Sequence, residues 1–289
     1  MTIHTWLSPC GRLRLRRYPA RKRETLLPWC SADQLLLELA RAEGIAGQQV
    51  LVVNDAHGAL SLALQPLALW TDSALSAHAL RENAALNQLP LPPVVWSTQA
   101  PPTADRVILR IPKQLAYLEF QLSRLASILP EGARLYAAGM DKHLSPRTAE
   151  LLEQYIGPTQ RHPGRKKARL FAATRSLRLK APEPEKLTSY YCDEVGGELR
   201  GLPNVFSRER LDIGARLLLS QLGNLEPVGE LADLACGNGV LGLAALRAGL
   251  SPNITFVDES AQAIAATRDN ALRLFPQAID QLSFVHEDG

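Results

Sequence analysis

The sequence lacks most of the features that place a chain in a class at once. Its four cysteines, at 10, 30, 192 and 236, form no C-x-x-C pair. That argues against a zinc framework or a disulfide-stapled secreted fold, and leaves reduced thiols. No apolar run approaches the ~18 residues of a membrane span, and residues 1–20 hold no signal-peptide core. The expected setting is therefore cytoplasmic. Aromatic residues make up only 6% of the chain. Any base-stacking role would fall on single residues such as Tyr18 or Phe171, and single aromatics more often belong to a core.

Charge is plentiful but unevenly spread. The formal net charge is +3, yet residues 1–180 carry 24 Lys and Arg against 13 Asp and Glu, while 181–289 carry 8 against 16. A part at +11 joined to a part at −8 suggests that the basic part meets a polyanion, with simple surface solubilisation as the alternative. The cations gather twice. Arg12, Arg14, Arg16 and Arg17 lead into Arg21-Lys22-Arg23, and their alternation with leucine fits a strand with one charged face. Arg161, Arg165, Lys166, Lys167, Arg169, Arg175 and Arg178 form the second group.

The acidic part holds the most informative stretch, Glu230-Leu-Ala-Asp-Leu-Ala-Cys-Gly-Asn-Gly-Val-Leu-Gly-Leu-Ala244. It predicts an apolar strand, a glycine loop and the first turns of a helix. Gly237 and Gly239 let the backbone turn tightly and approach a ligand, and the helix N-terminus offers donors. Further on, the apolar run Ile254-Thr-Phe-Val257 ends in Asp258-Glu259, an acid placed to accept from a ribose diol. Gly237-x-Gly239-x-x-Gly242 also satisfies the dinucleotide fingerprint, so a nicotinamide oxidoreductase is the rival reading. Asp233 argues against it, because a carboxylate in that strand would face a pyrophosphate, whereas a ligand with an amino group would welcome it. Cys236 reads as a small filler in the loop rather than a nucleophile.

The basic part predicts alternating strands and helices. Ser31 or Asp33 is placed to cap a helix bearing Leu35, Leu36 and Leu39. Strands are expected at Val50–Val53, Leu67–Trp70, Val94–Ser97, Val107–Ile111 and Arg134–Ala138, with helices at Ala59–Leu64, Ala74–Leu89 and Gln114–Leu129. This is the pattern of a parallel sheet covered on both faces. The same order returns in the acidic part. Val50–Leu62 matches Leu231–Leu243, Gly58 falls on Gly239, Asp72 on Asp258, and Arg81-Glu-Asn83 on Arg268-Asp-Asn270. An internal duplication is expected. Its first copy, with Asn54-Asp-Ala-His57 in place of the paired glycines, has kept the core and lost the cofactor.

The expected organisation is a degenerate, polyanion-binding domain at 1–180, a linker and β-hairpin at 181–205, and a cofactor-binding domain opening at 206–289. Ala181-Pro-Glu-Pro-Glu-Lys186 reads as a stiff linker, and Gly196-Gly197 as the turn of the hairpin. Leu217–Leu219 reads as part of a core helix.

Asp233-x-Ala235-x-Gly237-Asn238-Gly239 resembles the first motif of class I methyltransferases. Joined to Asn204-Val-Phe-Ser-Arg, Leu211-Asp-Ile-Gly-Ala-Arg216 and Phe256-Val-Asp-Glu-Ser260, it resembles the bacterial ribosomal RNA large subunit methyltransferase G family. Arg17-Tyr-Pro-Ala20, Asn54-Asp-Ala-His-Gly-Ala-Leu60 and Lys166-Lys-Ala-Arg-Leu170 point to that family rather than to its small-subunit sister. The resemblance covers nearly the whole chain. It implies an α/β fold of tandem Rossmann-like class I methyltransferase domains, the second incomplete here. It also implies S-adenosylmethionine as cofactor and N2 of a guanine in 23S rRNA as target, with a monomer expected for the full-length protein. The implied cofactor residues are Asp233, Ala235, Gly237, Asn238, Gly239, Asp258, Glu259 and, more loosely, Asp288 near the adenine amino group. The RNA residues are Arg14, Arg16, Arg17, Arg165, Lys166 and Lys167, and no metal is implied. The family's catalytic Asn-Pro-Pro-Phe is absent. Its degenerate counterpart in the first copy, Arg110-Ile-Pro-Lys113, has Pro112 54 positions after Gly58. The same count from Gly239 runs past Gly289, so a truncated second domain is expected. A non-catalytic RNA-binding protein is then the second alternative.

Overall fold

Val50, Leu51, Val52 and Val53 are all fully buried, which a strand achieves only when both faces of its sheet are covered. Side chains alternate along a strand. Val50 and Val52 accordingly join one core with Leu36 and Leu37, while Leu51 and Val53 join another with Leu118 and Leu122. The structure is a computed structural model and describes residues 2–179 and 187–288. Residues 2–71 with 75–179 make one unit, and 72–74 with 187–288 a second. The linker expected at 181–186 lies outside the described residues.

The first unit opens with an antiparallel hairpin, β1 (His4–Ser8) and β2 (Gly11–Leu15). Leu13 and Leu15 are buried while Arg12 and Arg14 are exposed, giving the one-sided charge the alternation predicts. Then follow α1 (Ser31–Ala42), β3 (Val50–Val53), α2 (Ala59–Leu64), β4 (Ala68–Thr71), α3 (Ala74–Asn87), β5 (Val94–Trp96) and β6 (Arg106–Arg110). The unit closes with α4 (Leu115–Ile128), β7 (Arg134–Met140), α5 (Thr148–Tyr155), β8 (Thr159–Arg161) and β9 (Ala168–Thr174). The seven strands from β3 to β9 form one sheet in the order β5-β4-β3-β6-β7-β9-β8. β3 to β7 are parallel, and β9 runs antiparallel between β7 and β8. The strand order reverses at β3, the switch point where doubly wound sheets place their ligands.

One local expectation needs correction. Ser31 is the first helical residue of α1 rather than its cap; Cys30 takes the cap position, and the Asp33 carboxylate accepts its N–H at 2.7 Å. Phe171 is buried in the second core, so it offers no ring to a base, and Tyr18 is stacked on His78 with 5.4 Å between centroids.

The second unit repeats the opening hairpin as β10 (Thr188–Cys192) and β11 (Gly197–Gly201). It continues with α6 (Ile213–Leu219), β12 (Glu230–Leu234), α7 (Val240–Arg247), β13 (Asn253–Asp258), α8 (Ala261–Leu274) and β14 (Leu282–His286). The parallel sheet β12-β13-β14 has three strands among the described residues. Phe256 and Leu243 lie at the centre of its core. α6 is capped by Asp212, whose carboxylate accepts from Gly214 and Ala215 N–H at 2.8 and 3.2 Å. The expectation that Leu217–Leu219 are all core fails. Leu219 is buried, but Leu217 and Leu218 are 66% and 54% exposed. A helix of seven residues buries one flank, and on α6 that flank carries Ala215 and Leu219.

Candidate functional site

Between the end of β12 and the start of α7 the chain must reverse within five residues. Ala235, Gly237 and Gly239 do this at positive φ, 56°, 59° and 84°. Each glycine serves a different need. A Cβ at Gly239 would lie 2.7 Å from Thr267 Cγ2, and one at Gly242 2.3 Å from the Phe256 ring, so these two allow α8 and β13 to close on the loop. A Cβ at Gly237 would meet nothing within 4 Å. The loop is therefore held tightly from behind and bare in front. Ala235 accepts the left-handed conformation despite its Cβ, at roughly 1–2 kcal/mol.

Asp258, at the end of β13, faces this loop. One carboxylate oxygen accepts the Gly237 N–H at 2.9 Å and the other the Ser260 N–H at 2.9 Å. A carboxylate has about four acceptor sites, so two remain for a diol. The Glu287 N–H donates to the Asp258 carbonyl at 3.1 Å, which brings the loop bearing the exposed Asp288 beside it. Asp233 is buried under the first turn of α7 and accepts the Gly242 N–H at 2.9 Å. Burial pushes its carboxyl up to about 6, against the lowering effect of that hydrogen bond. Glu259 turns to Ser73, whose hydroxyl donates to it; burial also raises its carboxyl above the ordinary range. Asn238 is buried and donates to the Tyr190 hydroxyl at 3.1 Å. The thiol of Cys236 is pushed up to about 12, chiefly by burial, which suits a filler. Among the described residues no cluster of His, Cys, Asp and Glu could hold a metal.

The first unit keeps two of the three left-handed bends of this loop and not the one at Gly237, whose counterpart is Ala56. Asn54 and Gly58 stand at φ 61° and 79°, where Ala235 and Gly239 stand at 56° and 84°. Its space is filled by the protein's own side chains. Asn54 donates to the Arg110 carbonyl and the Gln121 side chain, both at 2.9 Å, and Arg110 pairs with Asp33 at 3.1 Å. The matching of Asp72 with Asp258 needs adjustment. β4 and β13 end at Thr71 and Asp258, so Thr71, which is buried, is the true counterpart of the acid.

The two basic groups differ. Arg16 pairs with Glu82 at 3.0 Å and Arg17 with Glu24 at 3.1 Å, while the Arg14 side chain is exposed. Arg165 pairs with Glu38 at 2.8 Å. Lys166 and Lys167 are exposed at the tip of the β8–β9 hairpin, both at positive φ, 50° and 60°. Arg165 and Ala168 close that turn with two backbone hydrogen bonds of 2.8 and 3.0 Å. Sequence reasoning missed Tyr190 and Thr267 as partners of the loop. Asn270 was signalled only through its match with Asn83.

Residues 4–177 match the family model of the RLMG N-terminal domain, and residues 196–289 that of the methyltransferase small domain. Ribosomal RNA large subunit methyltransferase G of Alcanivorax borkumensis is 40% identical over 288 residues, 93% of this chain and 73% of that protein. The protein of the same name from Pseudomonas entomophila is 42% identical over 272 residues, 91% of this chain and 72% of its own length. Among solved structures, the T. thermophilus 16S rRNA N2 G1207 methyltransferase, in complex with AdoMet and guanosine, aligns with a TM-score of 0.74 at 20% identity. That alignment covers 99% of this chain and 75% of that one, and it shows a common fold. Two family models spanning both units, and relatives that share two-fifths of their residues over nine-tenths of its length, lead to one assignment: the chain belongs to the ribosomal RNA large subunit methyltransferase G family.

Proposed function

We propose that the second unit binds S-adenosylmethionine and that the chain serves methyl transfer to N2 of a guanine in 23S rRNA, in the cytoplasm. The observation that carries this reading is the bare front of Gly237 beside an Asp258 carboxylate with acceptor sites to spare. These residues fit the cofactor. Asp258 would accept the ribose hydroxyls, the left-handed loop would bring its backbone against the nucleoside, and Asp288 would lie near the adenine edge. When bound, S-adenosylmethionine supplies an electrophilic methyl group. Orientation of the amine against it is the main catalytic requirement of a simple displacement. The relatives named for the large subunit, and the neighbour named for N2 of a 16S guanosine, support this target class.

The RNA-facing role falls to the first unit. The Lys166-Lys167 tip, with the exposed Lys142 and Lys113 in the loops after β7 and β6, forms a cationic rim at one end of the sheet. The Lys167 carbonyl accepts the Asp141 N–H at 2.9 Å, which ties the tip to the loop bearing Lys142. Partial desolvation, then Lys142, Lys113 and Arg110, hold the His143 imidazole below its ordinary value, a sign of the local positive field. Arg16 and Arg17 are already neutralised by carboxylates, so we rank the hairpin tip above them.

Calorimetric titration of the chain with S-adenosylhomocysteine tests the cofactor reading; micromolar binding is expected, and no binding overturns it. A second reading, an RNA-binding protein without turnover, rests on the cationic rim of the first unit. Mass spectrometry of nucleosides from unmodified 23S and 16S rRNA, after incubation with S-adenosylmethionine, separates the two. N2-methylguanosine confined to 23S rRNA supports methyl transfer; rRNA binding with no new methylguanosine supports the second reading.

A further inference from the structure

Because the chain carries the same fold twice, once with a cofactor loop and once without, each residue behind the loop can be compared with its own counterpart. α3 and α8 are both 14 residues long and begin at Ala74 and Ala261. Asn83 therefore stands where Asn270 stands, and Leu80 where Thr267 stands. The two asparagines do the same thing. Asn270 Nδ2 donates to the carbonyls of Asn238 and Arg200 at 3.0 and 2.9 Å, and its Oδ1 accepts the Arg200 N–H at 2.9 Å. Asn83 Nδ2 donates to the carbonyls of His57 and Arg16, both at 2.9 Å, and its Oδ1 accepts the Arg16 N–H at 2.9 Å. A device present in both copies holds the hairpin to the loop whether or not a cofactor binds. It belongs to the fold.

Thr267 is different. It is fully buried, and its hydroxyl donates to the Gly237 carbonyl at 3.0 Å. Leu80, its counterpart, is equally buried but has no donor; its side chain fills the space beside Gly58. This hydrogen bond is thus confined to the copy with the glycine loop. In a trans peptide the C=O and the following N–H point in opposite directions. With the Gly237 carbonyl held toward α8, the Asn238 N–H is turned away from α8. That N–H has no hydrogen-bond partner among the described residues.

We propose that Thr267 is a positioning residue for the cofactor: it fixes the Gly237–Asn238 peptide so that the Asn238 N–H donates to the amino-acid carboxylate of the ligand. The proposal rests on the cofactor reading above. It concerns the amino-acid end of the ligand, whereas Asp258 concerns the ribose. Adenosine, which has the ribose and no carboxylate, separates the two.

The test is calorimetry on the full chain with S-adenosylhomocysteine and with adenosine, for wild type, Thr267→Val and Thr267→Ser. Valine keeps the shape and removes the donor. Thr267→Val should weaken S-adenosylhomocysteine by about 3- to 10-fold, the range of one hydrogen bond, and leave adenosine unchanged. Thr267→Ser should restore the affinity. Equal weakening of both ligands would show a merely structural role, and no change in either would show that the peptide needs no tether; each overturns the proposal. A wild-type chain that binds neither ligand overturns the cofactor reading, and the proposal with it.

Discussion

Asp233 and Asp55 are buried carboxylates set under the first turns of α7 and α2. Asp233 accepts from Gly242, and Asp55 from Leu60 and Ser61 at 3.0 and 2.7 Å. Both are nevertheless pushed up to about 6 from 3.8, with burial the largest cause. A folded-state value above the unfolded one means that the native chain holds a proton the unfolded chain has released. Stability from each group therefore falls as pH rises from about 4 to about 6, and the full penalty stands above that window. Asp233→Asn keeps an acceptor for Gly242 and removes the charge. Its stability relative to wild type should rise between pH 4 and 7, by at most about 3 kcal/mol for a shift of this size, as read by urea unfolding at stepped pH. A difference that stays constant with pH would mean that Asp233 does not titrate in that window. Asp258 calls for another measurement. The charge-assisted hydrogen bonds proposed between it and a diol would be worth ~1.5–3 kcal/mol each, so Asp258→Ala should weaken S-adenosylhomocysteine by roughly one to two orders of magnitude in calorimetry. Unchanged affinity would remove it from the site.

At the scale of elements, the asparagine clamp and the lysine turn make opposite demands. Asn83→Ala leaves three backbone groups of Arg16 and His57 without their partner. It should destabilise the first unit by about 2–4 kcal/mol while S-adenosylhomocysteine binding stays at the wild-type value; a loss of binding would mean that the clamp acts beyond its own unit. The Lys166-Lys167 turn places two residues with a Cβ in the conformation that type I′ hairpins reserve for Asn-Gly. Lys166→Asn with Lys167→Gly should stabilise the hairpin by about 1 kcal/mol and weaken rRNA binding, with the salt slope reduced by ~0.7–0.9 per lost phosphate contact. An unaltered slope in filter binding at several salt concentrations would mean that the lysines only solvate the turn. These elements also mark what could be read in advance. Glycine spacing, strand alternation and the repeated Arg-x-Asn announced the loop, the sheet and the duplication, because each is a pattern in the sequence itself. The exposure of Leu217 and Leu218 and the ion pair of Arg16 were not legible. Each depends on a neighbour far away in sequence, such as Glu82 for Arg16. Thr267 was illegible for the same reason, since a threonine in a helix carries no sign of the carbonyl it meets.

Across the whole molecule, the two units differ in how far their sheets are covered. The first has seven strands between two extensive cores. In the second, β12 pairs on one side only among the described residues, and Leu234, Ile213 and Leu217 are 65%, 83% and 66% exposed. Each such side chain forgoes ~1.5–3 kcal/mol of burial, a large share of a net stability of ~5–15 kcal/mol. Thermal unfolding of this chain should therefore proceed in two steps, the second unit melting first. S-adenosylhomocysteine at 100 times its Kd should raise only that step, by about 2.7 kcal/mol of added stability. A single transition, or an upward shift of both, would contradict the division. The matched loops have a further consequence for how a ligand arrives. Asn54 and Gly58 hold the same left-handed bends as Ala235 and Gly239, although the first copy has filled that space with its own side chains. These two of the loop's three bends thus belong to the folded chain and do not wait for a guest, while the bend at Gly237 is confined to the second copy. A receptor shaped in advance has little to rearrange on capture, so its association should run at a rate set by encounter and its heat-capacity change should be no larger than the ligand's own apolar surface accounts for.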